Sequence, residues 1–364
     1  MANSSQSKLI NLFDYETAAR EKLDAMVDVY LASGAADETT LRRNRECFDR
    51  ILLKPRVLTD VSCIDTRVDL FGQTLDHPIL LAPCAYHKVF HPDGEIATAR
   101  GSAQSGATLV ASTFSTVALE DMAKCGARLW FQLYVNPDRS FTRELIARAE
   151  EAGYQALCLT VDTPTLGSRD RERRSGFALP EGMERANLKQ LGTRATRAQH
   201  HKEGGAYNIL DPSLTWDAIE EMRAWTKLPI VLKGILSPED GRLAVEQGAS
   251  GIIVSNHGGR NLDTVPATIE ALPIVAEAVG GRIPVLMDGG IRRGTDIVKA
   301  IALGANAVMI GRPYMWGLAL EGADGVARVV QILRRELEIA MQLLGSASLQ
   351  LITREVLWKA SNRT

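Results

Sequence analysis

The chain has 364 residues, 45% of them hydrophobic and 24% charged, and its 42 basic and 44 acidic side chains leave a formal charge of -2. Such a composition excludes a disordered, collagenous or disulfide-dense chain, and the even balance offers no global basic surface to nucleic acid or an anionic membrane. The length suits one barrel of about 250 residues with an extension.

From the amino terminus, MANSSQSKLINLFDY has no basic stretch followed by an apolar one, so no secretory signal is expected. No apolar run reaches the roughly 18 residues of a membrane span. Residues 15–31 carry apolar side chains at helical spacing, and SGA at 33–35 ends that helix. A second helix is expected over 38–51, with Asp37 as its N-cap. Residues 1–75 thus read as a helical segment packed on the remainder of the chain.

From residue 76 the pattern changes to short apolar runs. They are ILLAP at 79–83, TLVAS at 108–112, LWFQLY at 129–134, ALCLTVD at 156–162, IVLKG at 230–234, GIIVSN at 251–256, PVLMDGG at 284–290 and AVMIGR at 307–312. Runs apolar on both faces suit parallel strands buried between layers. Helical stretches at 143–152, 238–247 and 295–303 lie between runs and end near Gly153, Gly248 and Gly304. Eight strand–helix units in series predict a (β/α)8 TIM barrel over 76–364, with an open doubly wound sheet as the alternative. The long insertion after strand 4, about 170–226, contains EGMERANLKQLGTRATRAQHHKEGG at 181–205. Its polar composition reads as a mobile loop over the barrel mouth.

Barrel chemistry sits at the C-terminal ends of the strands. There the sequence reads, in order, Pro83-Cys84-Ala85-Tyr86; Ser112-Thr113-Phe114; Gln132 and Tyr134; Thr160 and Asp162; Lys233; Ser255-Asn256-His257 and Arg260; Asp288-Gly289-Gly290 and Arg292; and Gly311-Arg312. Polar groups bunched at the ends of otherwise apolar strands point to catalysis. DGGIRRG at 288–294 and IGRP at 310–313 predict a phosphate site, since glycines admit backbone N–H groups close to an anion and the arginines add charge. His257, flanked by glycine, is a candidate general base that Asp162 could orient, and Arg260 could clamp a carboxylate. His77, His87, His91, His200 and His201 show no metal-ligand spacing, so no metal is expected. Cys47, Cys63, Cys84, Cys125 and Cys158 form no CxxC pair and read as reduced thiols of a cytoplasmic protein.

With YLASGA at 30–35, FQLY at 131–134, LTVDTP at 159–164, VLKG at 231–234, IIVSNHGGRNLD at 252–263 and LMDGGIRRGTDIVKAIALG at 286–304, the chain closely resembles the FMN-dependent 2-hydroxy acid oxidases and dehydrogenases over about 13–351. Glycolate oxidase, lactate oxidase and mandelate dehydrogenase belong to that family, and APCAYHKVFHPDGE at 82–95 is similar to its hydroxymandelate oxidase branch. The resemblance implies FMN as cofactor. Ala85, Ser112, Gln132, Thr160 and Ser255 would contact the isoalloxazine ring, with Lys233 beside its N1 and C2 carbonyl, and Pro83 and Cys84 would also bind the cofactor. Asp288, Gly289, Gly290, Arg292, Gly311 and Arg312 would hold the ribityl phosphate. Tyr30, Arg169 and Arg260 would hold the substrate carboxylate, Tyr134 the 2-hydroxyl, and His257 paired with Asp162 would be the base.

Phe114 stands where many short-chain members have Trp, and Tyr86 where many have Met or Leu-like side chains. With Leu166 they predict an apolar pocket for an aromatic or larger aliphatic, mandelate-like acid. The implied reaction oxidises an (S)-2-hydroxy acid to the 2-oxo acid and reduces oxygen to hydrogen peroxide. A dehydrogenase using another acceptor, and an FMN-dependent barrel isomerase sharing the glycine–arginine motifs, are the alternatives. A homotetramer or octamer is implied by the resemblance alone.

Overall fold

Every one of the apolar runs becomes a strand in the computed structural model, which describes residues 9–189 and 209–358. These strands are β1 (Ile79–Leu81), β2 (Thr108–Ser112), β3 (Arg128–Leu133), β4 (Leu157–Thr160), β5 (Ile230–Ile235), β6 (Gly251–Val254), β7 (Val285–Asp288) and β8 (Ala307–Ile310). All pair in parallel and in chain order, and β8 closes on β1 through Val308 opposite Ile79, which excludes the open sheet. Leu80, Val110, Trp130, Val231, Ile253 and Met309 point inward and fill the barrel, while alternate residues such as Leu81, Leu109 and Phe131 pack under the helices. Burial on both faces is the reason the strands read as unbroken apolar runs.

The N-terminal mouth is plugged by a hairpin that the helical reading of residues 1–75 does not contain. Val68–Leu70 pairs antiparallel with Gln73–Leu75. The turn residues Phe71 and Gly72 have φ of 52° and 78°, the mirror-image turn that suits a two-residue hairpin loop. Leu70 and Leu75 join the barrel interior, and the Phe71 ring lies 5.3 Å from Trp130.

The N-terminal helices are also divided differently from expectation. The single helix over 15–31 is two, Leu12–Lys22 and Ala25–Ala32, because the Asp24 carboxylate accepts from the Met26 N–H and starts a new helix. Asp37 does not cap the next helix, Thr39–Asp49. Glu38 occupies that position with φ 60°, and the N–H groups of Thr39 and Thr40 donate instead to Asp263 at 3.1 and 2.7 Å. A side chain from the loop after β6 thus caps a helix of the extension and ties it to the C-terminal mouth.

Of the long insertion, Asp170–Ser175 is helical, and residues 190–208, with His200 and His201, lie outside the described residues. Among the described residues no helix is long and apolar enough to cross a membrane.

Candidate active site

A cavity of about 380 Å³ opens at the C-terminal ends of the strands. Every site residue expected from the sequence lines it except Asp162 and Ser255. Those two stand directly behind residues that do.

Beyond β6 the backbone of His257, Gly258 and Gly259 turns left-handed, with φ of 57°, 64° and 72°. Glycine suits such a turn; histidine pays about 1–2 kcal/mol of strain there. His257 is held in it from both ends. Its N–H donates to Ser255 Oγ at 3.1 Å, and its ring Nδ1 lies 3.0 Å from Asp162 Oδ1. Asp162 follows β4, accepts from Thr163 Oγ1 at 2.8 Å, and sits where a Cβ on Gly234 would collide with it.

Burial pushes the His257 imidazole below its ordinary value, with Lys233 and Arg169 adding to the fall and Asp162 resisting it. Burial would raise the Asp162 carboxyl, but His257 and Lys233 outweigh that and hold it at about 2. The pair therefore rests as carboxylate and neutral imidazole, Nδ1–H donating to Asp162 and Nε2 free to accept. Tyr134 Oη lies 3.3 Å from that Nε2. Burial and the Asp162 charge raise its phenol to about 12, so it stays a donor.

Lys233, on β5, is buried with its ammonium 2.9 Å from Ser255 Oγ and 3.2 Å from Asp288 Oδ2. Burial would depress it, but Asp288 and Asp162 more than compensate and keep it charged. The Ser255 side chain was expected against a flavin ring. Here it donates to Asp288 at 2.9 Å and accepts from Lys233 and His257, a fully buried link between three site residues. Asp288 Oδ1 is buried with no hydrogen-bond partner.

At the glycine-rich end, Arg292 and Arg312 have no carboxylate partner among the described residues. Arg312 donates to the carbonyls of Leu31, Gly258 and Ser33 at 2.8, 3.1 and 2.9 Å. Arg292 lies over the Trp316 ring, 4.8 Å from its centre. Burial depresses both guanidinium groups, and for Arg312 the nearby Arg260 and Arg292 charges depress it further. This end of the cavity calls for an anion.

The other wall is aromatic and cationic. Arg260 Nη1 donates to the carbonyls of Tyr30 and Ser33 at 2.7 and 2.8 Å, and Nη2 to Glu172 Oε2 at 3.0 Å. Arg169 Nε donates to the Arg260 carbonyl at 3.2 Å, and its Nη1 lies 3.7 Å from Glu172. Tyr30 stacks on Phe177, ring centres 4.1 Å apart. Tyr86 enters from a left-handed backbone (φ 63°) and stands parallel to Phe114 at 6.3 Å, and Phe114 packs 4.9 Å from Tyr134. Leu166 and Leu179 complete this face. Glu172, Phe177 and Arg185 were not expected from the sequence. Arg169 and Glu172 stand three apart on a helical turn, the one signal that could have paired them.

The model of a family described as FMN-dependent dehydrogenase matches residues 19–359. The chain is 49% identical to L-lactate oxidase from Nostoc sp., covering 94% of this chain and 96% of that one. It is 47% identical to glycolate oxidase 3 from Arabidopsis thaliana, covering 95% of each. A crystal structure of mandelate oxidase with (S)-2-phenylpropionate superposes with a TM-score of 0.88 at 43% identity, over 96% of this chain and 98% of that one.

The chain belongs to the FMN-dependent dehydrogenase family. FMN is its cofactor, and the cavity of this family member fits that molecule on independent grounds. Two half-buried arginines without carboxylate partners among the described residues suit a phosphate. Gly289 and Gly290, with φ of 93° and 81°, lie beside them, where backbone can approach an anion closely. Asp288 Oδ1, buried and unpaired, lacks a donor of the kind a ribityl hydroxyl supplies. Because Asp288 is an anion, it suits that hydroxyl better than the phosphate. The cationic Lys233 stands between this end and His257, where an electron-accepting ring gains from positive charge.

Proposed function

We propose that this FMN-dependent 2-hydroxy acid oxidase acts on (S)-2-hydroxy acids with a bulky apolar side chain, mandelate-like, and reduces oxygen to hydrogen peroxide. The observation that carries the reading is the wall of Tyr86, Phe114, Leu166, Phe177 and Leu179 beside the hydroxyl of Tyr134. Such a wall gains from an apolar substituent and leaves a glycolate-sized acid underfilled.

Bound FMN would supply the redox chemistry, as a two-electron acceptor for the acid and a donor to oxygen. The chain's residues do the rest. Arg260 and Arg169 bind the carboxylate by charge-assisted hydrogen bonds, with Tyr30 packed against the Arg260 guanidinium. Tyr134 hydrogen-bonds the 2-hydroxyl oxygen. His257 Nε2 takes a proton, and Asp162 stabilises the imidazolium that results. Lys233 would hold a fixed positive charge beside the ring. Ala85, Ser112, Gln132 and Thr160, with Pro83 and Cys84, line the cavity and would hold the ring; burial raises the Cys84 thiol, so it packs rather than reacts.

A cytoplasmic homotetramer or octamer completes the proposal. All five cysteines are free thiols, and Leu52 and Trp358, hydrogen-bonded through their backbones, expose 60% and 58% of their surface for burial between copies.

The test is anaerobic mixing of the FMN-loaded protein with (S)-mandelate, (S)-lactate and glycolate, followed by air. Fast bleaching by mandelate with recovery and peroxide in air is expected. A clear preference for glycolate overturns the large-pocket reading, and bleaching without recovery in air overturns oxygen as acceptor.

A further inference from the structure

Three arginines of the cavity wall have no carboxylate partner among the described residues. Arg292 and Arg312 belong to the phosphate end. The third, Arg185, sits on the substrate wall instead. Its guanidinium carbon lies 5.0 Å from the Phe114 ring centre and 5.6 Å from that of Tyr86, and its Nε donates to Tyr86 Oη at 2.9 Å. Stacking and that bond fix the plane of the group. Its two amino groups make no hydrogen bond to any described residue, and Arg185 lines the cavity.

The position of this arginine matters as much as its orientation. Phe114, which carries Arg185, also packs 4.9 Å from Tyr134, and Tyr134 Oη lies 3.3 Å from the His257 base. Arg185 is therefore one aromatic ring away from where the 2-hydroxyl is oxidised. The carboxylate attached to the reacting carbon already has Arg260 and Arg169. A second guanidinium, pre-oriented and standing on apolar side chains, is built for a second planar anion.

We propose that Arg185 reads a second carboxylate at the far end of the substrate, so that the preferred substrate is a 2-hydroxy dicarboxylic acid with an apolar body between its two acid groups. The proposal rests on the 2-hydroxy acid reading and supplies its substrate class. Leu166, Leu179 and Phe177 enclose the body, and Arg185 selects the end.

The test is flavin-reduction kinetics on the FMN-loaded protein with two matched pairs: (S)-4-carboxymandelate against (S)-mandelate, and (S)-2-hydroxyglutarate against (S)-2-hydroxyvalerate. In at least one pair the dicarboxylate is expected to be favoured by about tenfold or more in kcat/KM, the range of a charge-assisted hydrogen-bonded pair. In Arg185→Leu that ratio collapses towards one, mainly through KM, and Arg185→Lys restores part of it. Absence of any preference in both pairs overturns the proposal. So does an Arg185→Leu variant that loses activity equally with all four acids, because the arginine then only braces Tyr86. If none of the four acids bleaches the flavin, the 2-hydroxy acid reading itself fails, an outcome distinct from bleaching without preference.

Discussion

Replacing Asp162 with Asn removes one charge and little volume, and it tests the proposed base directly. Asp162 Oδ1 is 3.0 Å from His257 Nδ1. At an effective dielectric near 20, a unit charge at that distance stabilises a full imidazolium by about 5 kcal/mol. A proton about half transferred in the transition state expresses about half of this, roughly 2.5 kcal/mol, or about 70-fold in rate. The amide oxygen can still accept from Nδ1–H, so ring orientation is retained and the lost rate reports charge.

The assay is anaerobic stopped-flow bleaching of the flavin by (S)-mandelate between about pH 5 and 9, a span chosen around the ordinary histidine value. In the parent protein the rate falls as pH drops through the His257 pKa, which burial sets below the ordinary 6.5. Asp162 opposes that depression, so its removal moves the acid limb to still lower pH while the plateau drops. An Asp162→Asn protein that keeps its FMN and reduces it within about threefold of the parent rate refutes the pair as the proton acceptor.

Arg312→Met strips the proposed phosphate end of a cation and leaves the Leu31 and Gly258 carbonyls without their donor, while Ser33 keeps only Arg260. The FMN dissociation constant should rise about tenfold to a hundredfold, read by ultrafiltration of released flavin. Gly290→Ala combines a φ of 81° with a Cβ that would overlap the Asn44 carbonyl. A loss of roughly 2 kcal/mol or more is expected by thermal melting. Gly153→Ala at φ 85° is its control, since nothing lies within 4 Å of the added carbon, and only backbone strain is added. Phe114→Trp enlarges the ring between Tyr86 and Tyr134, so kcat/KM for (S)-mandelate should fall by about tenfold while glycolate is spared.

How far the sequence reveals this molecule depends on distance along the chain. The strands were legible because being buried on both faces needs a continuous apolar run, as in IVLKG, and each occupied its expected place. The Phe71–Gly72 hairpin was hidden because three-residue strands are too short to show alternation. Asp37 looked like a cap by proximity, but the carboxylate that caps Thr39–Asp49 comes from Asp263, which no local pattern announces. At the site, residue types at strand ends pointed to the proposed base, clamp and phosphate end. They did not give direction. Ser255 stands at a strand end and bonds the Lys233–Asp288 pair, one step behind the cavity lining. Glu172 and Arg185 come from the polar insertion after β4, where composition reads as surface, and only the folded chain brings them to the cavity.

The three arginines at Arg260, Arg292 and Arg312 carry a consequence for the life of the protein in a cell. The charges of Arg260 and Arg292 lie close enough to depress the Arg312 guanidinium. Arg312 also fastens Leu31 and Ser33 of the N-terminal extension to the barrel. Repulsion from Arg260 and Arg292 works against that fastening, and a phosphate bound as proposed would offset it. Whatever binds only the folded state raises its stability in proportion to the logarithm of its concentration. The amount of intact protein should therefore follow flavin supply: a chain made in a riboflavin-starved cell is open to proteolysis at its N-terminal helices, and the same chain survives when flavin is plentiful.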